Sequence, residues 1–210
     1  MEVKCYDIKF LLFPSGGVII PKVGDTVPIG GVDYLVVHID ETNKHMYFAK
    51  KYWEGSDRIE FDSNAIYEGS TIHEKCKSYF QEKIPDILRP LFVTLECGYG
   101  CPTFIPTLAQ VASTTNNNSD LCSGEGEWEY FNSDERRVFE NIYASTSPWW
   151  LQTPFIGTAS KGVCFVQWGG QVYVRNWKPA NGTAGFRPCF AMDMSILDAY
   201  SKFEAWKSIL

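Results

Sequence analysis

The chain is poor in histidine, in clustered positive charge and in long apolar runs. Its 210 residues hold 3 His, and 19 Lys and Arg stand against 25 Asp and Glu, for a net charge of −6. Phosphate binding needs grouped Lys and Arg, so this balance excludes a nucleic-acid groove. The basic pairs Lys50-Lys51 and Arg136-Arg137 read as solvated faces. No run approaches the roughly 18 apolar residues of a membrane span, so no membrane insertion is expected. The opening "MEVKCYDIKFLLFPSGG" begins with charge, but "FLLF" is too short for an export signal. The expected setting is a cytosol, with any exit by a route that needs no peptide signal, such as cell lysis with virus release.

Catalytic patterns are equally scarce. His38, His45 and His73 are scattered, and no G-x-S-x-G, H-E-x-x-H or P-loop occurs. Glu125, Glu127 and Glu129 lie in the polar, Gly-rich stretch from Thr114 to Glu135, read as a surface loop. Glycosidase acids need a rigid pair at defined separation. Cysteine is present in odd number (Cys5, Cys76, Cys97, Cys101, Cys122, Cys164 and Cys189), which with a cytosolic origin predicts free buried thiols. "CGYGC" sets Cys97 and Cys101 four apart, but a second knuckle is missing. No catalytic residue, metal or cofactor is expected.

What the chain does have is β patterning and aromatic residues, which make up 15% of it. Val32 to Ile39 follows a Gly30-Gly31 turn, and a polar loop leads to His45 to Lys51; these are two hairpins in series. The run "YLVVHI" is apolar on both faces, so both must be covered. Ser70 then caps a helix with Glu74 in its first turn and Ile72, Cys76, Tyr79, Phe80 and Ile84 as its inward stripe; Pro85 ends it. His73 falls off the stripe and reads as exposed. "FVTLE" is a short strand, and Thr107 caps a short helix after Pro106. Ser133 caps another, with Val138, Phe139 and Ile142 facing inward. "WWLQTP" is a strand ending at Pro154 with Trp149 or Trp150 in the core, and "GFRPCFAMD" is a further strand. From Ser195 an amphipathic helix carries Ile196, Leu197, Tyr200, Phe203 and Trp206 on one stripe.

Four of the seven tryptophans fall between residues 147 and 190. Within that stretch "GVCFVQWGGQVYVRNW" reads as a hairpin with a two-residue Gly169-Gly170 turn. That turn pairs 168 with 171, 166 with 173 and 164 with 175. One face then carries Val163, Phe165, Gln167, Val172, Val174 and Asn176. The other carries Cys164, Val166, Trp168, Gln171, Tyr173, Arg175 and Trp177. This second face is either a binding surface or a second packed face with Gln171 and Arg175 at its rim. Trp, Tyr and Arg are the residues that anchor interfaces.

Four short motifs in order now carry a resemblance. "GDTVPIGGVDYLVV", "TFIPTLAQV", "WWLQTP" and "GFRP" resemble landmarks of DUF6273, a domain of bacteriophage and Firmicutes proteins that typically reads W-x-L-R-S-P and later G-x-R-P-A. The match runs from about residue 24 to 191. Gln152 stands where that family often has Arg, and Cys189 where it often has Ala. The family is similar to the C-type lectin-like fold of retroelement variable proteins and formylglycine-generating enzymes. The resemblance implies an α+β domain at 24–191: an antiparallel β core with two or more helices and long loops. Residues 1–23 would form an N-terminal attachment strand and 192–210 the C-terminal helix. Calcium-dependent sugar binding would require E-P-N, Q-P-D or W-N-D motifs, which are absent, and Cys164 and Cys189 do not match the cysteine pair of the oxidase relatives.

The expected function is a bacteriophage virion protein that binds a host-surface glycan or protein without calcium. Its partners would be other virion proteins in an oligomeric assembly. Trp168, Gln171, Tyr173, Arg175 and Trp177 are its candidate ligand-binding residues. The alternative is a capsid-decoration or tail-joining protein, for which the same face is a protein interface. An enzyme is a third reading that no residue set supports.

Overall fold

The computed structural model describes residues 21–62, 65–112, 126–156, 161–179 and 182–195, with backbone alone at 155, 156, 161 and 174–179. Almost all of the expected attachment segment and the C-terminal helix beyond Ser195 lie outside them.

Glycine turn chemistry sets the first hairpin. Gly30 and Gly31 both have positive φ, 58° and 77°, the geometry of a two-residue turn whose twist suits the strands it joins. They connect β1 (Thr26–Ile29) to β2 (Val32–Asp40), which pairs in turn with β3 (His45–Lys50). Asp40 closes the second corner by accepting from the backbone N–H groups of Thr42 and Asn43. Tyr34 to Val37 are all buried, so both faces of β2 are covered as the apolar run requires. A register shift between Val36 and His38 bends the strand there.

The helix α1 (Thr71–Lys83) follows its local signals. The Ser70 side chain accepts from the His73 N–H, and Ile84 ends the helix just before Pro85. Ile72, Cys76, Tyr79 and Phe80 are buried. Before it lies β4 (Arg58–Glu60), and after it come β5 (Phe92–Val93) and β6 (Thr103–Phe104), so "FVTLE" contributes only two strand residues. Thr107 caps α2 (Leu108–Val111) with a reciprocal Gln110 contact, and α3 (Asp134–Arg137) follows Ser133. The chain closes with β7 (Trp149–Ile156), β8 (Lys161–Val166), β9 (Val172–Pro179), β10 (Thr183–Gly185) and β11 (Cys189–Asp193).

The strands form two sheets. One runs β1-β2-β3-β11-β5, with β6 also on β11; the other runs β4-β10-β7-β8-β9. Pairing is antiparallel except where β10 meets β7 at Gly185 and Trp149. The class is thus α+β, mostly antiparallel with few helices, and not a closed barrel. Trp128, Trp149, Trp150, Phe131 and Phe139 fill the core. Cys76, Cys97, Cys101, Cys164 and Cys189 are buried, as expected of the cysteines in this chain.

Several surface expectations are corrected here. β7 continues past Pro154, which pairs with Val163 where the ladder resumes after a register shift between Trp150 and Pro154. The displaced Gln152 amide donates to the carbonyls of Cys97 and Ile105, and Thr153 Oγ1 accepts from the Leu108 N–H. Trp128 and Phe131, inside the expected surface loop, are fully buried against Tyr47, Phe104 and Trp149. Ile142, expected inside, is exposed in a tight turn, while Phe139 is buried. Lys50 is buried rather than solvated, and Arg137 is held by Asp134 and the Val111 carbonyl.

His73 is also buried, not exposed. Its ring folds back over the helix start, against Tyr67 at 5.1 Å, and Nδ1 accepts from the Gly69 N–H at 2.9 Å. The ring proton therefore sits on Nε2, which makes no well-aligned hydrogen bond among the described residues. Burial, with Lys77 adding to it, holds the imidazole below its ordinary value; Glu74, Glu68 and the Gly98 backbone oppose this. A folded-state pKa below the unfolded one stabilises the protein above the unfolded value and loses that stability as pH falls through the folded value. Protonation would also set N–H against the Gly69 N–H. In urea titrations between pH 7 and pH 5 the wild-type midpoint is expected to fall with pH, and that of His73→Gln to fall less. Equal slopes would remove His73 from the acid response.

Candidate functional site

The β8–β9 hairpin differs from its expected register by one residue. Gln167 N–H donates to the Gln171 carbonyl at 2.9 Å, and Gly170 N–H to the Gln167 carbonyl at 3.0 Å. The loop is therefore Trp168-Gly169-Gly170, three residues, with Gly170 left-handed at φ 83°. Val166 pairs with Val172 and Phe165 with Tyr173. A one-residue change of register moves side chains to the opposite face. Tyr173 thus shares a face with Phe165, not with Val166, and their ring centroids lie 5.7 Å apart. The pairings 168–171, 166–173 and 164–175 are all replaced. Farther along, Val163 pairs with Lys178 across an irregularity, so simple alternation fails before Arg175 and Trp177, whose side chains lie outside the described ones.

The loop tip is braced from outside. A Cβ at Gly170 would lie 1.7 Å from the Asp134 carbonyl oxygen, so the tip rests directly on the backbone of α3. Asp134 itself is tied to Arg137 Nη1 at 2.6 Å. A Cβ at Gly169 would lie 2.7 Å from Gln171 Oε1, so the glutamine amide is folded over the loop next to Trp168. Trp168 is 55% exposed. Gln171 is exposed and Tyr173 half-buried. Around the tip, Arg136 lies over the Tyr130 ring at 5.7 Å. Backbone N–H donation and the Ser133 hydroxyl hold the Glu135 carboxyl below its usual range.

Three of the five candidates are thus placed on one braced hairpin: the Trp168 indole open to solvent, the Gln171 amide over Gly169, and the Tyr173 ring tilted against Phe165. Such a set offers a flat apolar surface with adjacent hydrogen-bond donors and acceptors. Among the described residues no group of three or more His, Cys, Asp or Glu could hold a metal ion. No helix among them is long and apolar enough to cross a membrane.

A second exposed pair was missed by the sequence reading. Ile142 is 71% and Tyr143 84% exposed. Asn141 Oδ1 accepts from the N–H groups of both Tyr143 and Ser145, Ala144 is left-handed at φ 59°, and Trp53 Nε1 donates to the Ser145 carbonyl. The Asn141 side chain, able to bridge backbone donors two and four residues on, is the sequence signal for this turn.

Comparison of the chain with protein-family models, with curated proteins and with solved structures finds no match.

Proposed function

We propose that this protein is a binding module of a bacteriophage virion, built on a C-type lectin-like scaffold. It engages a host-surface glycan or protein without calcium through the β8–β9 hairpin. The observation that carries this reading is Trp168: a large aromatic residue 55% exposed on a loop that is fixed by Gly170 against α3. A rigid exposed indole binds with little loss of conformational freedom. Gln171 orients the ligand and the Tyr173–Phe165 pair supports the floor.

The test is binding of purified protein to intact bacterial cells, with a Trp168→Ala, Tyr173→Ala variant whose circular dichroism matches wild type. Loss of about 2 kcal/mol or more, roughly 30-fold in affinity, is expected at such an anchor. Equal binding by both proteins would exclude the hairpin.

The Ile142–Tyr143 turn favours a second reading, a decoration or tail-joining protein whose contacts are with other virion proteins. Failure of wild type to bind cells, together with its assembly onto particles lacking it, would select that reading.

A further inference from the structure

We propose that Lys50 and Asp57 close an intramolecular isopeptide bond without any external enzyme. Lys50 Nζ lies 2.8 Å from Asp57 Oδ2, and the two side chains are only 5% and 6% exposed. The other ion pairs among the described residues, such as Lys44 with Glu41 and Lys77 with Glu74, have at least one solvent-exposed or part-exposed member. Burial of both partners matters. An ammonium and a carboxylate in water do not condense, whereas a water-poor site favours the neutral amine and acid that can.

The surroundings supply what amide formation needs. The Lys50 backbone is fixed on both sides: its N–H donates to the Pro188 carbonyl, and its carbonyl accepts from Arg187 Nε. Lys50 Nζ also lies 5.9 Å from the centroid of the Tyr79 ring, whose hydroxyl is hydrogen-bonded to that of Tyr34 at 2.7 Å. Burial raises the Asp57 carboxyl above its ordinary value, with Lys50 opposing. The Glu54 N–H donates to Asp57 Oδ2 at 2.7 Å, where charge would develop during attack on Cγ. Glu54 Oε1 is 3.6 Å from Lys50 Nζ on a side chain 64% exposed, so this carboxylate needs no desolvation to act as a base. The 2.8 Å contact holds Nζ on Oδ2, one bond from Cγ, so a small rotation of the carboxyl group is all that attack requires.

The step balances within these three side chains. The Glu54 carboxylate carries one proton from the Lys50 ammonium to Asp57 Oδ1, leaving a neutral amine and a neutral acid with Oδ2 as its carbonyl oxygen. The Nζ lone pair then forms the N–C bond at Cγ, with negative charge held on Oδ2 by the Glu54 N–H. The Glu54 carboxylate takes the remaining surplus proton from Nζ and returns it to Oδ1. The Cγ–Oδ1 bond breaks and Oδ1 leaves as water. No oxidant, metal or co-reactant is consumed. The product is an amide that staples the end of β3 to the turn leading into β4. It would give a displayed protein with free thiols a covalent brace that reducing conditions do not cut.

The test is mass spectrometry of the full chain, denatured and digested with trypsin. Wild type is expected at the sequence mass less one water, with peptides 45–51 and 52–58 joined and no cleavage after Lys50. Glu54→Gln, altered at an exposed side chain, is expected at full mass with native circular dichroism. Asp57→Ala should likewise leave the peptides separate. Wild type at full mass, with Lys50 released as a tryptic end, overturns the proposal and leaves a simple ion pair. Linkage in Glu54→Gln as complete as in wild type overturns the role of Glu54.

Discussion

Replacing Arg187 with alanine is expected to destabilise the fold by about 3–5 kcal/mol. Arg187 is fully buried, with its guanidinium 5.0 Å from the Phe131 ring centroid and 4.9 Å from those of Phe139 and Trp149. Nε donates to the Lys50 carbonyl and Nη1 to the Arg137 carbonyl, both at 3.2 Å. Truncation removes the centre of the aromatic cage and strips both carbonyls of this donor. Burial lowers the guanidinium pKa to about 10, so the group stays charged at neutral pH. Arg187→Lys should also be destabilising, by about 2 kcal/mol or more, because a compact ammonium cannot stack among three rings and reach both carbonyls. Urea unfolding in the presence of reductant measures both. A loss under about 1 kcal/mol for alanine would mean that the cage contributes little.

Gly170→Ala is expected to cost about 2–4 kcal/mol, combining left-handed backbone strain with a clash that cannot be relieved by a side-chain rotation. The obstacle is the backbone oxygen of Asp134, 1.7 Å from the new Cβ. Either the hairpin tip lifts from α3 or α3 shifts, and in both cases Trp168 loses its brace. Gly169→Ala makes a contrast within the same loop. Its obstacle is the flexible end of Gln171, and its φ is not left-handed, so the loss should stay under about 1 kcal/mol. Paired thermal unfolding and cell-binding measurements would show Gly170→Ala losing both stability and binding. If the two variants behave alike, the tip does not rest on Asp134.

The contrast between these glycines also explains what the sequence made legible. Elements bounded by local chemistry are readable: the Gly30-Gly31 turn, the helix between Ser70 and Pro85, the cap at Thr107, the tryptophans of β7. Each depends on residues a few positions apart. The Trp168-Gly169-Gly170 loop does not. "WGG" suits a two-residue or a three-residue turn, and the choice is fixed by the Gly170 N–H reaching Gln167 and by packing on Asp134, more than thirty residues away in the chain. The residue types of the site were readable, but the partner of Tyr173 was not. Polar residues hide the core in the same way. Lys50 and Arg187 are buried because carbonyls, a carboxylate and aromatic rings from distant segments receive them. Trp128 and Phe131 sit in polar sequence yet fill the space between the sheets. His73 looks exposed by helical spacing, but its ring turns back onto the Gly69 N–H.

The five buried thiols have a consequence for what happens after the fold opens. Cys164 and Cys189 come from the two sheets, Cys76 from α1, and Cys97 and Cys101 from the segment between β5 and β6, so global unfolding exposes them together. Burial raises the Cys76, Cys101 and Cys189 thiols above their ordinary pKa, which keeps them inert while the chain is closed. Once exposed, they regain ordinary acidity and couple to one another and to neighbouring chains. In air, unfolding is then a ratchet: heat inactivation follows the rate of opening and shifts with scan speed, and cooling does not restore the sample. With a reductant present the same protein returns to an equilibrium.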